Sequence, residues 1–234
     1  MKGVRREAQG EASDVRRYED ATSPSTERGQ IRFVVHAARI IPGDWKTRNG
    51  VFGDSSEYMP FVMGYDVSGV VESVGEGVDE FDPGAEVFAY LPNAGAFAEY
   101  AVGPVEVFAR KPANITHAQA AGVPVSGMCA WYALVETAQL KEGQTVLIHA
   151  GAGGVGHFAV QIAHALGARV ITTASPRNHE FLRGLGADVV IDYNTQRFED
   201  EVSDVDVVFD MIGGDVQERS FKVLKPGGYL VAIN

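Results

Sequence analysis

Three glycines at fixed spacing form the segment of this sequence best suited to chemistry. Residues 149–156 read HAGAGGVG, so Gly151, Gly153 and Gly156 match the pattern G-x-G-x-x-G. In that pattern the first glycine permits a tight turn, the second lets backbone approach a phosphate group, and the third lets a helix pack closely on a strand. The segment is therefore predicted to bind the pyrophosphate of a dinucleotide, through Gly151, Ala152, Gly153, Gly154, Val155 and Gly156.

The residues on both sides of this turn predict the elements that must position it. The apolar run 146–148 before it is typical of a buried strand, and residues 155–166 after it carry an apolar face at helical spacing. The first N–H groups of such a helix have no intrahelical partner, and together with the helix dipole they favour an anion. A flexible glycine loop without a ligand is the alternative interpretation.

Polar residues follow the second predicted strand, residues 169–173. Domains that prefer NAD place an acidic residue there, about twenty residues after the first glycine, to bind the ribose 2′-hydroxyl. This chain instead has Ser175, Arg177 and Asn178. A hydroxyl, a guanidinium and an amide suit a 2′-phosphate, which a carboxylate would repel. The segment favours NADP(H) over NAD(H); for Arg177, an ordinary solvated residue in the first turn of a helix is the alternative.

The composition excludes several classes of partner. The 234 residues include 31 acidic and 20 basic side chains, a net charge of −11 that no local basic stripe offsets, so binding to nucleic acid is not expected. Cys129 is the single cysteine, which excludes an intramolecular disulfide framework. The sequence has no apolar run of signal-peptide or membrane-spanning character. The expected location is cytoplasmic, with neither a membrane nor a nucleic-acid partner.

Two segments of different character divide the chain. The first contains short apolar runs between Gly and Pro turns, at residues 31–35, 67–71, 87–90 and 99–102, and is predicted to be mostly β. An alanine-rich helical segment over 124–138 leads into the second, where strand-like runs alternate with helical ones, at 145–149, 169–173, 189–191, 205–209 and 229–233. Such alternation predicts parallel strands covered by helices on both faces.

Several motifs in addition to the glycine turn resemble the medium-chain dehydrogenase/reductase superfamily. They are VHAA at 35–38 with Pro42 and DWK at 44–46, GYDVSGVV at 64–71, GAFAEY at 95–100, and GAD at 186–188 through Asp192-Tyr193. Within the superfamily the chain is most similar to the zinc-free quinone oxidoreductases related to zeta-crystallin. The resemblance implies an α/β protein with a chaperonin-10-like N-terminal catalytic domain over 1–122 and a Rossmann NADP-binding domain, a doubly wound parallel sheet, over 123–234. It also implies an active site in the cleft between them.

Zinc-dependent relatives bind a catalytic metal through Cys and His at three places. By motif alignment these places fall on Ile41, on Tyr65 and within 122–125, where no residue is a plausible zinc ligand. None of the six histidines pairs with Cys129 at a metal-site spacing. No metal site is expected, and a zinc-type alcohol dehydrogenase is the remaining enzyme alternative.

The resemblance implies three further site residues. Tyr65 replaces a residue that faces the reaction centre in the zinc enzymes, so its hydroxyl is a candidate catalytic donor to a substrate oxygen, with packing between the domains as the alternative. Cys129 stands where the family usually has a Thr at the cofactor, and a small buried thiol is the simpler description. Tyr193 resembles a position that contacts the 2′-phosphate, with plain packing as the competing role.

Three features depart from the family pattern. Arg39 stands where relatives usually have Gly, which would strain the backbone if φ there is positive. Ile41 stands where quinone reductases usually have Asn, which removes an amide donor. The sequence ends at Asn234, after the fifth predicted strand, whereas relatives continue with a sixth strand that usually mediates dimerisation. The sheet is expected to lack that strand, which leaves an open edge, and a homodimer is an open alternative rather than the expected state.

The resulting expectation is an NADPH-dependent oxidoreductase that transfers hydride to a small-molecule quinone or α,β-unsaturated carbonyl without metal. Two alternatives from other classes stay open. One is a catalytically impaired NADPH-binding protein, which Ile41 and the early end of the sheet favour. The other is an RNA-binding or structural role, which the net charge of −11 opposes.

Overall fold

The structure, a computed structural model, describes residues 1–11, 13, 16–53 and 59–233. Its chain forms two compact units, Met1–Val125 and Ser126–Asn234. Asn234 itself, with which the sequence ends, lies outside the described residues. The domain boundary between residues 122 and 123 stays a prediction from the sequence.

The first unit is built mainly from antiparallel strands. They are β1 (Lys2–Arg6), β2 (Arg16–Asp20), β3 (Gln30–Arg39), β4 (Phe61–Val62), β5 (Asp66–Val74), β6 (Glu86–Tyr90), β7 (Tyr100–Pro104) and β8 (Phe108–Arg110). One sheet has the order β2-β1-β4 and the other the order β7-β3-β5-β6-β8. Helices α1 (Pro42–Arg48) and α2 (His117–Ala121) accompany them, and α3 (Pro124–Trp131) begins at the end of this unit.

Alternating side chains of the five-stranded sheet build the core of the first unit. Phe33 on β3 and Val67 on β5 are fully buried in it, because successive side chains of a strand point to opposite faces. β3 pairs with β5 in a register that places Arg39 opposite Asp66, where β3 ends and β5 begins. Tyr65 directly precedes β5, so this end of the sheet positions the tyrosine that the sequence singles out.

The second unit is a parallel sheet with helical connections. Its elements are β9 (Thr145–Ile148), α4 (Gly156–Ala165), β10 (Arg169–Ala174), α5 (His179–Gly184), β11 (Val189–Asp192), α6 (Phe198–Glu201), β12 (Val205–Asp210), α7 (Gly214–Ser220) and β13 (Leu224–Ala232). The strand order is β11-β10-β9-β12-β13, with every pair parallel. The predicted fold class, a β-rich GroES-like unit followed by a Rossmann-like sheet of five strands, is confirmed.

The central strand β9 is buried on both faces. Val146 and Ile148 belong to the hydrophobic cluster that includes Ala159 of α4, whereas Leu147 belongs to a second cluster that includes Phe198 of α6. The chain places β10 and β11 on one side of β9 and β12 and β13 on the other, so the strand order reverses beside β9. In open parallel sheets, ligands bind outside the carboxyl ends of the strands at such a reversal.

The last strand differs from the sequence prediction at its start. β13 begins at Leu224 rather than at Tyr229. Val205 pairs with Leu224 while Val207 pairs with Tyr229, so residues 225–228 bulge out of the ladder. Pro226, Gly227 and Gly228 occupy this bulge and interrupt the apolar pattern, which explains why the pattern predicts only the later part of the strand.

The helix that leads into the parallel sheet changes its pitch. The sequence predicts one helical segment over 124–138, and the structure has α3 followed by π-helical turns over Tyr132–Thr137. The N–H of Ala138 accordingly donates to the carbonyl oxygen of Ala133, five residues earlier. Wider turns of this kind are uncommon and occur frequently at functional sites.

Candidate functional site

The glycine turn lies between β9 and α4, at the carboxyl edge of the parallel sheet. A Cβ built on Gly151 would lie 2.0 Å from Thr172 Oγ1, and one on Gly156 would lie 2.3 Å from the carbonyl oxygen of Ala150. Close packing therefore requires glycine at both positions. The positive φ of the turn is at Ala150 and not at either of these glycines. Gly153 is exposed, and a Cβ there would meet only the Ala150 oxygen, at 3.1 Å, so its backbone is open to a ligand.

Ala150 gives the turn its shape. Its φ is 54°, an uncommon value for a residue with a side chain. Its N–H donates to Thr173 Oγ1 at 3.2 Å, and its carbonyl oxygen accepts from the N–H of Gly153 at 2.9 Å. The N–H of Gly151 donates to the Thr173 carbonyl oxygen at 3.1 Å, so β10 holds the turn at two points. The turn leads directly into the N-terminus of α4, an arrangement that can bind an anionic phosphate group.

A cavity of about 790 Å³ lies beside the turn, at the carboxyl ends of the strands. Its lining includes His149 after β9, Thr173 near the end of β10, Tyr193 after β11 and Ile212 after β12. The cavity has the size of a small-molecule site and lies where the strand order reverses. This position makes the cavity a candidate ligand site.

The three residues predicted to meet a 2′-phosphate share one turn at the end of β10. Ser175 precedes the 3₁₀ turn Pro176–Asn178, and Asn178 Nδ2 donates to Ser175 Oγ at 3.4 Å. Arg177 is exposed on this turn. Tyr193 follows the neighbouring strand β11, and its ring is 61% exposed at the cavity. The structure thus brings all four to adjacent strand ends, with Tyr193 alone among them in the cavity lining.

Cys129, the single cysteine of the sequence, lies in α3 and is half-buried. Its predicted contact with a cofactor stays a prediction. Within the described residues, no group of three or more His, Cys, Asp or Glu side chains is arranged to hold a metal ion. In the same residues, no helix combines the length and the apolar character that crossing a membrane requires.

Tyr65 belongs to the first unit and is half-buried. Its hydroxyl donates to Thr47 Oγ1 at 3.4 Å, and its ring stacks on that of Tyr90 with 5.9 Å between the ring centroids. An O–H···O distance of this length marks a weak hydrogen bond. The ring is therefore held in place while the hydroxyl can exchange Thr47 for a stronger acceptor.

Sequence reasoning missed Asp66, the next residue along the chain. Its side chain is fully buried, accepts from the N–H of Val125 at 3.2 Å, and lies 3.6 Å from Arg39 Nη1. Burial raises the pKa of Asp66 to about 6, while the Val125 N–H and the Arg39 charge oppose that rise. Arg39 Nη1 also donates to the carbonyl oxygen of Gly122 at 3.0 Å. A buried carboxylate and an arginine thus hold the segment 122–125 against the ends of β3 and β5.

This arrangement corrects the expectation for Arg39. Its backbone is the last residue of β3, paired with β5, and has no positive φ. The backbone strain that a positive φ would cause is absent, because the backbone of this residue is extended. The guanidinium interacts with the Asp66 carboxylate and with the carbonyl oxygen of Gly122. A glycine at this position could make neither interaction.

Ile41, at the other departure from the family pattern, is 7% exposed and is the N-cap residue of α1. Its N–H donates to Asp44 Oδ2 at 2.7 Å, which satisfies one unpaired group at the start of the helix. Burial raises the pKa of Asp44. A ligand that reached Ile41 would therefore meet an apolar side chain and no side-chain amide donor.

Sequence reasoning also missed His149, the residue directly before the glycine turn. Its ring is 1% exposed, with Nδ1 at 3.3 Å from Thr173 Oγ1 and Nε2 at 2.9 Å from Ser220 Oγ. Burial lowers the pKa of His149 to about 4, so the ring is neutral at physiological pH. The one available signal is a polar residue at the end of the apolar run 146–148.

Two family profiles match the chain. Residues 27–145 match the family described as the alcohol dehydrogenase GroES-like domain, and residues 154–233 match the family described as zinc-binding dehydrogenase. The first match begins before β3 and ends at the first residue of β9, and the second begins within the glycine turn and includes β10 to β13. The order of the two matches agrees with the order of the two units.

Curated relatives and solved structures agree with the profiles. The chain is 40% identical over 220 residues to the NADPH-dependent alkenal/one oxidoreductase of Arabidopsis thaliana, which covers 90% of this chain and 56% of that protein. It is 37% identical to the quinone oxidoreductase structure from Coxiella burnetii, with a TM-score of 0.90 over 100% of this chain and 75% of that one.

A third comparison concerns the quinone oxidoreductase of Escherichia coli, solved in complex with NADPH. The identity is 28% and the TM-score 0.88, over 99% of this chain and 72% of that one. The chain spans little more than half the length of the curated relative from Arabidopsis thaliana. On the profile matches and these relatives, the chain belongs to the medium-chain dehydrogenase/reductase superfamily, and its relatives there include quinone and alkenal oxidoreductases.

Proposed function

We propose that this protein is an NADPH-dependent reductase of quinones or α,β-unsaturated carbonyls that acts without a metal ion. The observation that carries the proposal is the glycine turn, in which Gly151 and Gly156 leave no room for a Cβ and Gly153 is exposed. Ala150 of the same turn lines a cavity of about 790 Å³. The relatives named for NADPH and for quinone or alkenal substrates support the cofactor and the substrate class.

The carboxyl edge of the sheet supports NADP(H) over NAD(H). A 2′-phosphate requires donors and no free carboxylate near it. Ser175, Arg177 and Asn178 supply a hydroxyl, a guanidinium and an amide on one turn. Asp192, at the end of β11, is turned away into its own loop, where it accepts from the backbone and side chain of Asn194 and from Thr195 Oγ1. These hydrogen bonds lower the pKa of Asp192 and leave its charge satisfied within the loop.

The chemistry asked of the chain itself is modest. When bound, NADPH supplies a hydride to the electron-poor carbon of the substrate. The protein then has to bind and orient both molecules and to stabilise the negative charge that develops on the substrate oxygen. Tyr65 is the candidate donor to that oxygen, because its hydroxyl has only a weak hydrogen bond to Thr47 to give up.

The proposal is tested by two measurements on the protein as it stands. Fluorescence titration is expected to show tighter binding of NADPH than of NADH, because Ser175, Arg177 and Asn178 favour the extra phosphate. Oxidation of NADPH, followed by the loss of its nicotinamide absorbance at about 340 nm, is expected to accelerate on addition of a simple quinone or enone. Equal affinity for the two dinucleotides would overturn the assignment of the 2′-phosphate residues, and failure to bind either would overturn the proposal.

Replacing Tyr65 with phenylalanine is expected to lower kcat about tenfold or more while KM for NADPH stays close to the wild-type value, since only one donor to the substrate oxygen is lost. Steady-state kinetics with the same enone measures both constants. Tyr90→Phe is the matched control, because this half-buried tyrosine stacks on Tyr65 and has no proposed contact with substrate. Equal kcat in wild type and Tyr65→Phe rejects Tyr65 as the donor.

A second candidate function is an NADPH-binding protein that does not turn over. The observation that favours it is Ile41, which places a buried apolar side chain where an amide donor is usual in the family. The two assays above separate the candidates. Tight binding of NADPH with no acceleration by any quinone or enone selects the second, and acceleration removes it.

A further inference from the structure

His149 directly follows β9 at the base of the glycine turn, and its ring is buried among β10, α6 and α7. Its ring nitrogens face Thr173 of β10 and Ser220 of α7, and its ring packs edge-on against Phe198 of α6 with 4.7 Å between the ring centroids. A buried imidazole whose two ring nitrogens both have polar partners needs a physical account beyond packing.

The hydrogen-bond partners fix which ring nitrogen carries the proton. The single hydroxyl proton of Ser220 is donated to the carbonyl oxygen of Val216 at 2.7 Å. Ser220 Oγ can therefore only accept from His149, which places the proton on Nε2. Nδ1 of the neutral ring is then an acceptor, and the hydroxyl of Thr173 donates to it.

The chain of donors continues into the turn. With its proton directed at His149 Nδ1, Thr173 Oγ1 keeps a lone pair for the N–H of Ala150, which donates to it at 3.2 Å. Ala150 has φ of 54°, and its carbonyl oxygen both accepts from Gly153 and occupies the space that a Cβ on Gly156 would need. The conformation of one residue thus decides the shape of the whole turn.

We propose that His149 is a positioning residue for the glycine turn, and that through the hydroxyl of Thr173 it holds Ala150 in the conformation that lets the turn receive a pyrophosphate. This inference rests on the proposed function, because the ligand is the pyrophosphate of the dinucleotide. Burial supports it, since a pKa lowered to about 4 keeps Nδ1 an acceptor at physiological pH. Asp210, Arg219 and Glu199 are the charges that act on the ring.

Loss of the His149 network and loss of a 2′-phosphate contact are expected to affect the binding of NADPH and NADH differently. NADPH and NADH share the pyrophosphate, so loss of the network weakens both and leaves their ratio unchanged. Loss of a 2′-phosphate contact, by contrast, weakens NADPH alone. The ratio of the two dissociation constants therefore reports which end of the cofactor a variant affects.

The test is Thr173→Val, which keeps the shape of the side chain and removes the hydroxyl that joins His149 to Ala150. Fluorescence titration is expected to show NADPH and NADH both bound about tenfold more weakly, the effect of one lost buried hydrogen-bond partner. Thr173→Ser restores the hydroxyl and is expected to restore wild-type affinity. Thr145→Val makes the same chemical change at the amino end of β9 and is expected to leave both affinities unchanged. Unchanged binding by Thr173→Val, or weaker binding of NADPH alone, overturns the proposal.

A second measurement keeps the inference testable if Thr173→Val fails to fold. Nitrogen-15 NMR of the wild-type histidine rings is expected to show His149 as the Nε2–H tautomer from about pH 8 to about pH 5.5, a range well above its lowered pKa. The His149→Gln variant identifies the signal of this ring. An Nδ1–H tautomer, or a ring that titrates near its ordinary pKa, overturns the proposal. If the wild type binds neither dinucleotide, the proposed function fails, while this spectrum still tests the hydrogen-bond network that joins His149 to the turn.

Discussion

Replacing Gly156 with alanine is expected to abolish measurable NADPH binding and to lower the free energy of unfolding of the second unit by about 2 kcal/mol, the usual cost of overpacking. The added Cβ would lie 2.3 Å from the Ala150 carbonyl oxygen and 2.8 Å from Gly151 Cα. Both are backbone atoms, so no flexible side chain can move away. Either α4 or the turn must shift, and the first N–H groups of the helix then no longer face the turn.

Two glycine-to-alanine variants serve as controls for Gly156→Ala. At Gly153 the new Cβ would meet only the Ala150 oxygen, at 3.1 Å, so a small loss of affinity is expected. At Gly184, in α5, the new Cβ meets nothing within 4 Å, and a gain of up to about 1 kcal/mol is expected from the better helix propensity of alanine. Binding is measured by NADPH fluorescence and stability by urea unfolding. Wild-type affinity in Gly156→Ala would contradict the placement of the cofactor at this turn.

The fold could be predicted because local pattern and global structure agree along most of the chain. The five runs of the second unit alternate with helical segments, and each one forms a strand of the parallel sheet. The glycine spacing predicts the turn because three chemical constraints act on residues close together in sequence. β13 shows the limit of this reasoning, since Pro226, Gly227 and Gly228 hide a strand that resumes after a bulge.

The buried polar residues could not be predicted, because their partners are remote in sequence. His149 bonds Ser220, which lies 71 positions away, and Asp66 bonds the N–H of Val125, which lies 59 positions away. Neither contact follows from periodicity, which reports only which face of an element is apolar. Arg39 illustrates the same point, because its sequence context suggests strain while its structure shows an ion pair and a backbone partner.

The Asp66→Asn variant is expected to gain stability relative to wild type as the pH rises from about 4 to about 7, by about 2 to 3 kcal/mol. The folded-state pKa of Asp66, about 6, lies above its ordinary value of 3.8, so between these values the folded protein holds a proton that the unfolded chain has lost. The stability from this group is therefore fully present below pH 3.8 and is lost as the pH rises through 6. Asparagine does not titrate, so the variant lacks this loss.

The difference between variant and wild type isolates Asp66 from other groups. His149, whose pKa is lowered to about 4, contributes with the opposite sign over the same range, and this contribution cancels in the difference. Trp45 lies in the first unit, so a Trp131→Phe background makes its fluorescence a reporter of that unit during urea unfolding. A stability difference that is constant from about pH 4 to about pH 7 would contradict the raised pKa.

Arg39→Gln provides the second half of this test, because it removes the charge that opposes the rise of the Asp66 pKa. The guanidinium lies 3.6 Å from the carboxylate and is 24% exposed, so its attraction is only partly screened by water. Without it the carboxylate is harder to ionise, and the pH at which stability is lost is expected to move upward from about 6. Arg39→Lys keeps the charge and is expected to leave the transition close to its wild-type position. A transition that stays in place in Arg39→Gln would mean that Val125 alone opposes the desolvation of Asp66, and that Arg39 serves only to hold Gly122.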